Sequence, residues 1–440
     1  MPGDRRVLLC ATRGLRSLRV LTAWSNGCSP QKGDCHCPTI EGSRWGTVRG
    51  WRMQLFDSIA RHDLRPRRYH EPQFQYHNIS ARPPIHAIRS LLENWFKCFP
   101  ADGKDDLRAR FRSRINSQHR SAFFEPYVHQ LLRCMSYKVL LHPPLEWVGT
   151  HPDFLVTRDA EAKFYMEVTA TFDSEQEQAA EARTAEMYDK LNDLDSPNFF
   201  LGVRSVGAPS KSLPKSALHR KLEEWLRSLD PDSVAAGYSL GGQFPALELP
   251  FEGCRVTFEA IPKGIENRGR QGIRTIGMIL PEVVTGNPRI EIRDAVSLKA
   301  RKYKELSYPL TVAVNVMNEC CHEIDIMDGL FGTEAVTESL MPDGTIKTHW
   351  NLRHPNGAWY GPAGPRNCAA SAAIIVAQLS PWTLSTDTPV IVHNPWAKLS
   401  LELTLLPLPQ YFLSDGRLRR TAGQSAKDLL GLPNPWPVPE

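Results

Sequence analysis

Apolar residues recur at two different spacings along the chain, and each change of spacing marks an element. IHAIRSLLENWF (85–96) repeats at helical intervals, and DDLRARFRSRINSQHR (105–120) is a basic stretch read as a helix or a lead-in. SAFFEPYVHQLLRCM (121–135) sets Phe124, Val128, Leu131, Leu132 and Met135 on or near one helical face. YKVLLHP (137–143), HPDFLV (151–156) and KFYMEVTAT (163–171) then read as three strands, the last two separated by the turn-like TRDAEA. DSEQEQAAEARTAEMYDKLNDL (173–194) is dominated by Ala, Glu and Lys, with Asp173 or Ser174 available as a cap, and predicts a helix. NFFLGVRSV (198–206) returns as a strand. The order α-β-β-β-α-β predicts an α/β fold with a mixed central sheet flanked by helices.

Alternation continues downstream. SALHRKLEEWLRSL (216–229) and DAVSLKARKYKEL (294–306) read as helices; CRVTFEAIP (254–262), TIGMILPE (275–282) and YPLTVAVNV (308–316) read as strands. YSLGGQF and NRGRQG read as turns. Beyond residue 317 the pattern is less regular. MDGLFG and WNLRHPNGAWYGPAGPRN are turn-rich, CAASAAIIVAQL suits either a central strand or a buried helix, and the tail KDLLGLPNPWPVPE reads as extended. The expected organisation is a basic extension (1–50), a basic helical lead-in (51–120), an α/β core (121–316) and an accessory C-terminal region (317–440) with a Pro-rich tail.

Charge sharpens this division. Residues 1–120 hold 22 Lys and Arg against 10 Asp and Glu, whereas the remainder holds 31 against 38. A basic front end suits either a solvated tail or contact with a polyanion. The Arg-rich, acid-poor start reads as an over-extended start or a disordered arm. The longest apolar runs, such as AASAAIIVA (369–377), fall far short of the roughly 20 residues that span a bilayer, so no membrane association is expected. Ten cysteines at irregular spacings make neither a disulfide framework nor a zinc site, and a cytoplasmic protein is expected. No HExxH string joins His349, His354 and His393, and Ser371 lies in no G-x-S-x-G elbow.

The chemistry concentrates between residues 121 and 205. Asp153 follows Pro152 at the start of one expected strand, and Glu167 lies fourteen residues on, within the next. If these strands pair, both carboxylates share one end of a hairpin. Two such groups, with waters and a substrate phosphate, suit Mg²⁺ or Mn²⁺. Glu167 sits between Met166 and Val168, and an acid inside an apolar strand needs a partner.

Pro152-Asp153 and Glu167-Val168-Thr169 resemble the PD-(D/E)xK motif of the phosphodiesterase superfamily that includes restriction endonucleases. The resemblance implies a restriction endonuclease-like core and metal-dependent cleavage of DNA. Asp153 and Glu167 would hold the metal, and Glu125, on the preceding helix, would join them. Thr169 stands where the family has its lysine. In some members that lysine migrates to the following helix. Lys190 is the corresponding candidate, with Gln178 and Tyr188 on the same helix and Lys163 as another source of charge. The departure at Thr169 equally suits a catalytically inactive fold that binds nucleic acid or protein.

Overall fold

The three apolar runs between residues 137 and 171 form an antiparallel meander of β1 (Lys138–Leu141), β2 (Phe154–Arg158) and β3 (Glu161–Thr171). This computed structural model describes residues 53–437, except 146–148, 173–174, 271–272, 281–286 and 342–344. The basic extension 1–50 and the caps Asp173 and Ser174 therefore lie outside the described residues. Ahead of the meander come α1 (Gln73–Ile79), α2 (Pro83–Cys98), α3 (Lys104–Phe111) and the long α4 (Asn116–Cys134). The basic stretch 105–120 is thus two helices, α3 and the start of α4, broken between residues 111 and 116.

Alternation along β3 sorts its side chains onto two layers. Phe164, Met166 and Val168 join Phe124, Tyr127, Leu131 and Leu132 of α4 in the largest hydrophobic core. The intervening positions face the opposite side of the sheet. That is the side covered by a helix from much later in the chain.

The chain leaves this sheet after β3. Helix α5 (Glu175–Asn192) leads to β4 (Phe199–Gly207), followed by α6 (Lys215–Arg227), α7 (Pro231–Ser239), β5 (Ala246–Phe251), β6 (Cys254–Pro262) and β7 (Ile276–Leu280). These strands form a separate four-stranded sheet in the order β5-β6-β4-β7. It has its own core, in which Leu201, Val203, Val256 and Phe258 meet Leu218 and Leu222 of α6 and Met187 and Leu191 of α5. The helix and strand expected to complete the meander instead open this inserted unit.

Helix α8 (Pro288–Ala300) and strand β8 (Leu310–Val316) bring the chain back, with β8 parallel to β3 from Tyr165↔Leu310 to Thr171↔Val316. Every residue of β8 is buried, as a strand with parallel neighbours and both faces covered requires. Helix α9 (Glu323–Phe331) occupies the segment read as turns. Its Gly329 lies so close to α8 that a Cβ there would sit 2.7 Å from the Arg289 carbonyl oxygen, which explains a glycine inside a helix. After two small hairpins, β9 (Glu334–Leu340) with β10 (Ile346–Arg353) and β11 (Tyr360–Gly361) with β12 (Gly364–Pro365), the run CAASAAIIVAQL becomes β13 (Ala370–Ala377). It is a strand and pairs parallel to β8. Strands β14 (Val390–His393), β15 (Gln410–Ser414) and β16 (Arg417–Thr421) extend the large sheet to eight, in the order β1-β2-β3-β8-β13-β14-β15-β16. Residues 370–421 are therefore half of the central sheet. The short helix α10 (Ala426–Leu430) begins the tail that had read as wholly extended. The fold is mixed α/β, and among the described residues no helix is long and apolar enough to cross a membrane.

Candidate functional site

Register brings the two motif carboxylates together. Phe154 pairs with Met166, so Asp153, one residue before β2, comes level with Glu167 on β3. Asp153 Oδ2 accepts a hydrogen bond from the Val168 backbone N–H at 2.7 Å, which fixes the carboxylate against the neighbouring strand. Its side chain keeps 27% exposure, whereas Glu167 has none.

Glu167 is not left unpaired. Helix α8 and its continuation cover that side of β3, and they present Lys299, Lys302 and Tyr303 at spacings i, i+3 and i+4, which share one helical face. Lys299 Nζ donates to Glu167 Oε2 and lies 3.4 Å from Asp153 Oδ2, so one ammonium bridges both carboxylates. Lys302 Nζ donates to Glu167 Oε1 at 3.2 Å, and the Tyr303 hydroxyl donates to the same oxygen. Two carboxylates thus face two ammonium groups in a cluster closed around Glu167 and open to solvent at Asp153 and Lys302. Burial alone pushes the Lys299 ammonium down, but Asp153 and Glu167 outweigh it and hold the group above its ordinary range. Burial, reinforced by the Glu167 carboxylate, pushes the Tyr303 hydroxyl up, so it remains a donor.

The other expected residues are dispersed. Glu125 on α4 accepts a bidentate pair from Arg110 at 2.6 and 2.8 Å. Lys190 on α5 pairs with Glu186 at 2.8 Å and donates to Ser212 Oγ and the Leu213 carbonyl. Neither carries an interaction with Asp153 or Glu167 among the described residues. Lys163 pairs with Glu161 at 2.7 Å, Tyr188 packs on Tyr69, and His151 is exposed. Thr169 lies two residues beyond Glu167, hence on the same face of β3, and is half-buried. A threonine hydroxyl supplies no cation, and Lys299 brings the positive charge to the pair instead.

Lys299, Lys302 and Tyr303 escaped the motif reading although their spacing is visible in KARKY (299–303). The inserted sheet hides them, because the next helix in sequence is not the next helix against the sheet.

The donor set accommodates a divalent ion only in part. Two carboxylates suit Mg²⁺ when waters and phosphate complete its shell. Among the described residues, however, no group of three or more His, Cys, Asp or Glu side chains converges on one point. A cation would engage the exposed side of Asp153 and share Glu167 with the ammonium groups. Compared with known protein families, curated proteins and solved structures, the chain matches none.

Proposed function

We propose that this chain is a metal-dependent phosphodiesterase of the PD-(D/E)xK type acting on DNA, with Asp153 and Glu167 as the metal-holding carboxylates and Lys299 in the role of the motif lysine. One observation carries the reading: Lys299, from the helix that returns the chain to β8, bridges both motif carboxylates. The order α4-β1-β2-β3-α8-β8, with β3 parallel to β8, supports it as the restriction endonuclease-like arrangement once residues 175–280 are taken as an insertion. Bound Mg²⁺ or Mn²⁺ would supply an activated water and offset charge on the scissile phosphate. Lys299 would orient that water and hold positive charge beside the phosphate.

A second reading has its own observation. Glu167 is fully buried and already satisfied by Lys299, Lys302 and Tyr303. That neutral cluster equally suits a binding module without catalysis. Cleavage of plasmid and single-stranded DNA with Mg²⁺ or Mn²⁺ separates the two. The nuclease reading expects cleavage by the wild type and its loss in Asp153→Asn and Lys299→Met, both remaining folded. No cleavage by folded wild type, together with salt-sensitive DNA retention, would replace it with the binding module.

A further inference from the structure

On the other side of the large sheet, past the C-terminal ends of β8 and β13, lies a polar cavity of about 260 Å³. Arg67, Gln73, His119, Arg120, Gln378 and Trp382 line it. This is the side of α4, opposite the carboxylate–lysine cluster. Ligands of open α/β sheets favour this end of the strands.

Two features mark it as a site. First, neither of its arginines forms an ion pair among the described residues. Arg67 donates only to the backbone carbonyls of Glu71 and Tyr69, and Arg120 makes no hydrogen bond or ion pair among the described residues. The two are close enough to repel: burial, then Arg120, pushes the Arg67 guanidinium below its ordinary range, with Glu71, Asp189 and Glu181 opposing more weakly. The single lining carboxylate, Glu319, is exposed. Second, Trp382 is 39% exposed at the wall, an aromatic side chain turned partly to solvent.

We propose that this cavity binds a phosphate monoester, either a free nucleoside 5′-monophosphate or the 5′-phosphorylated end of a strand. The two arginines take the phosphate, because guanidinium groups match its oxygens with charge-assisted hydrogen bonds. Trp382 offers a stacking surface to the base. At 260 Å³ the cavity is close to the smallest small-molecule sites, about 300 Å³, so it admits a phosphate and sugar but not a duplex.

The test is calorimetric titration of the full chain with adenosine 5′-monophosphate, adenosine, and one oligodeoxynucleotide bearing either a 5′-phosphate or a 5′-hydroxyl. The monophosphate binds and adenosine does not. Arg120→Gln, which removes a side chain without partners, weakens monophosphate binding by about tenfold or more at unchanged melting temperature. Trp382→Ala weakens the monophosphate but not inorganic phosphate. Preference for the phosphorylated oligonucleotide identifies the strand end as the source, and preference for the free monophosphate identifies the nucleotide. Lys299→Met leaves the affinity unchanged, which keeps this site separate from the nuclease reading. Equal binding of adenosine, an unaffected Arg120→Gln variant, or no monophosphate binding at millimolar concentration would overturn the proposal.

Discussion

The two sheets differ in how they hold charge. In the four-stranded unit several ion pairs stay at the surface: Lys215 with Asp193 keeps 49% and 37% exposure, and Arg255 with Glu248 keeps 64% and 55%, although Asp189 on α5 is buried against His70. In the eight-stranded sheet, Glu167 is wholly enclosed and its Lys299 partner is 15% exposed. Exposed pairs contribute little, because water and salt screen them and long side chains lose freedom in forming them. An enclosed pair gives up far more hydration than its attraction returns, so hydrophobic packing would serve stability as well or better. The small sheet therefore uses its charges for solubility and fit. The large one carries a charge cluster that stability alone does not require.

This contrast is open to direct challenge. The largest effect is expected from Glu167→Ala, which leaves Lys299 with Asp153 alone and Lys302 without its carboxylate. Chemical denaturation should show a loss of about 3–5 kcal/mol, and a change under 1 kcal/mol would mean the cluster is more hydrated than its burial indicates. Acid comes next. Burial holds His119 down to about 4 from its ordinary 6.5, so the folded state binds fewer protons than the unfolded one. Stability is complete above pH 6.5 and falls as the pH drops toward 4, by on the order of 3 kcal/mol for this residue, with His77 and His129 acting in the same direction. Melting curves from pH 7 to 4 for wild type and His119→Gln test this, and parallel curves would reject it.

The alkaline side is subtler. Lys299 and Tyr303 are both held above their ordinary values of 10.5 and 10, so their contribution is present below pH 10 and fades as the pH rises beyond it. Lys299→Met should show a shallower alkaline decline than wild type. The smallest effect belongs to the inserted sheet. Lys215→Ala should cost less than about 1 kcal/mol, and a greater loss would erase the distinction between the sheets.

Much of the hairpin was legible because its information is local. Asp153 and Glu167 lie on adjacent strands joined by the turn at Asp159 and Ala160, and an acid within an apolar run announces its need for partners. The large sheet was only partly legible. Residues 198–206 and 308–316 both read as strands, yet only the second pairs with β3. Periodicity states which face of a strand is apolar, not which sheet it enters. For this reason Lys190 stood in for Lys299. The run at 370–377 resisted a choice between strand and helix because a buried parallel strand loses its alternation. Helix α9 was hidden by Gly329 and Gly332, although His322 and Asp325 form a reciprocal cap at its start.

The separation of 132 residues between Glu167 and Lys299 also has a consequence in time. At a synthesis rate of 5–20 residues per second, the carboxylate is made roughly 7–26 s before its lysine. During that interval one side of β3 must stay wet, since burying Glu167 alone is prohibitive. The four-stranded unit, encoded wholly within the gap, has that time to itself. The nascent chain would then carry a finished small sheet beside an unfinished large one, waiting for α8 to close over the glutamate.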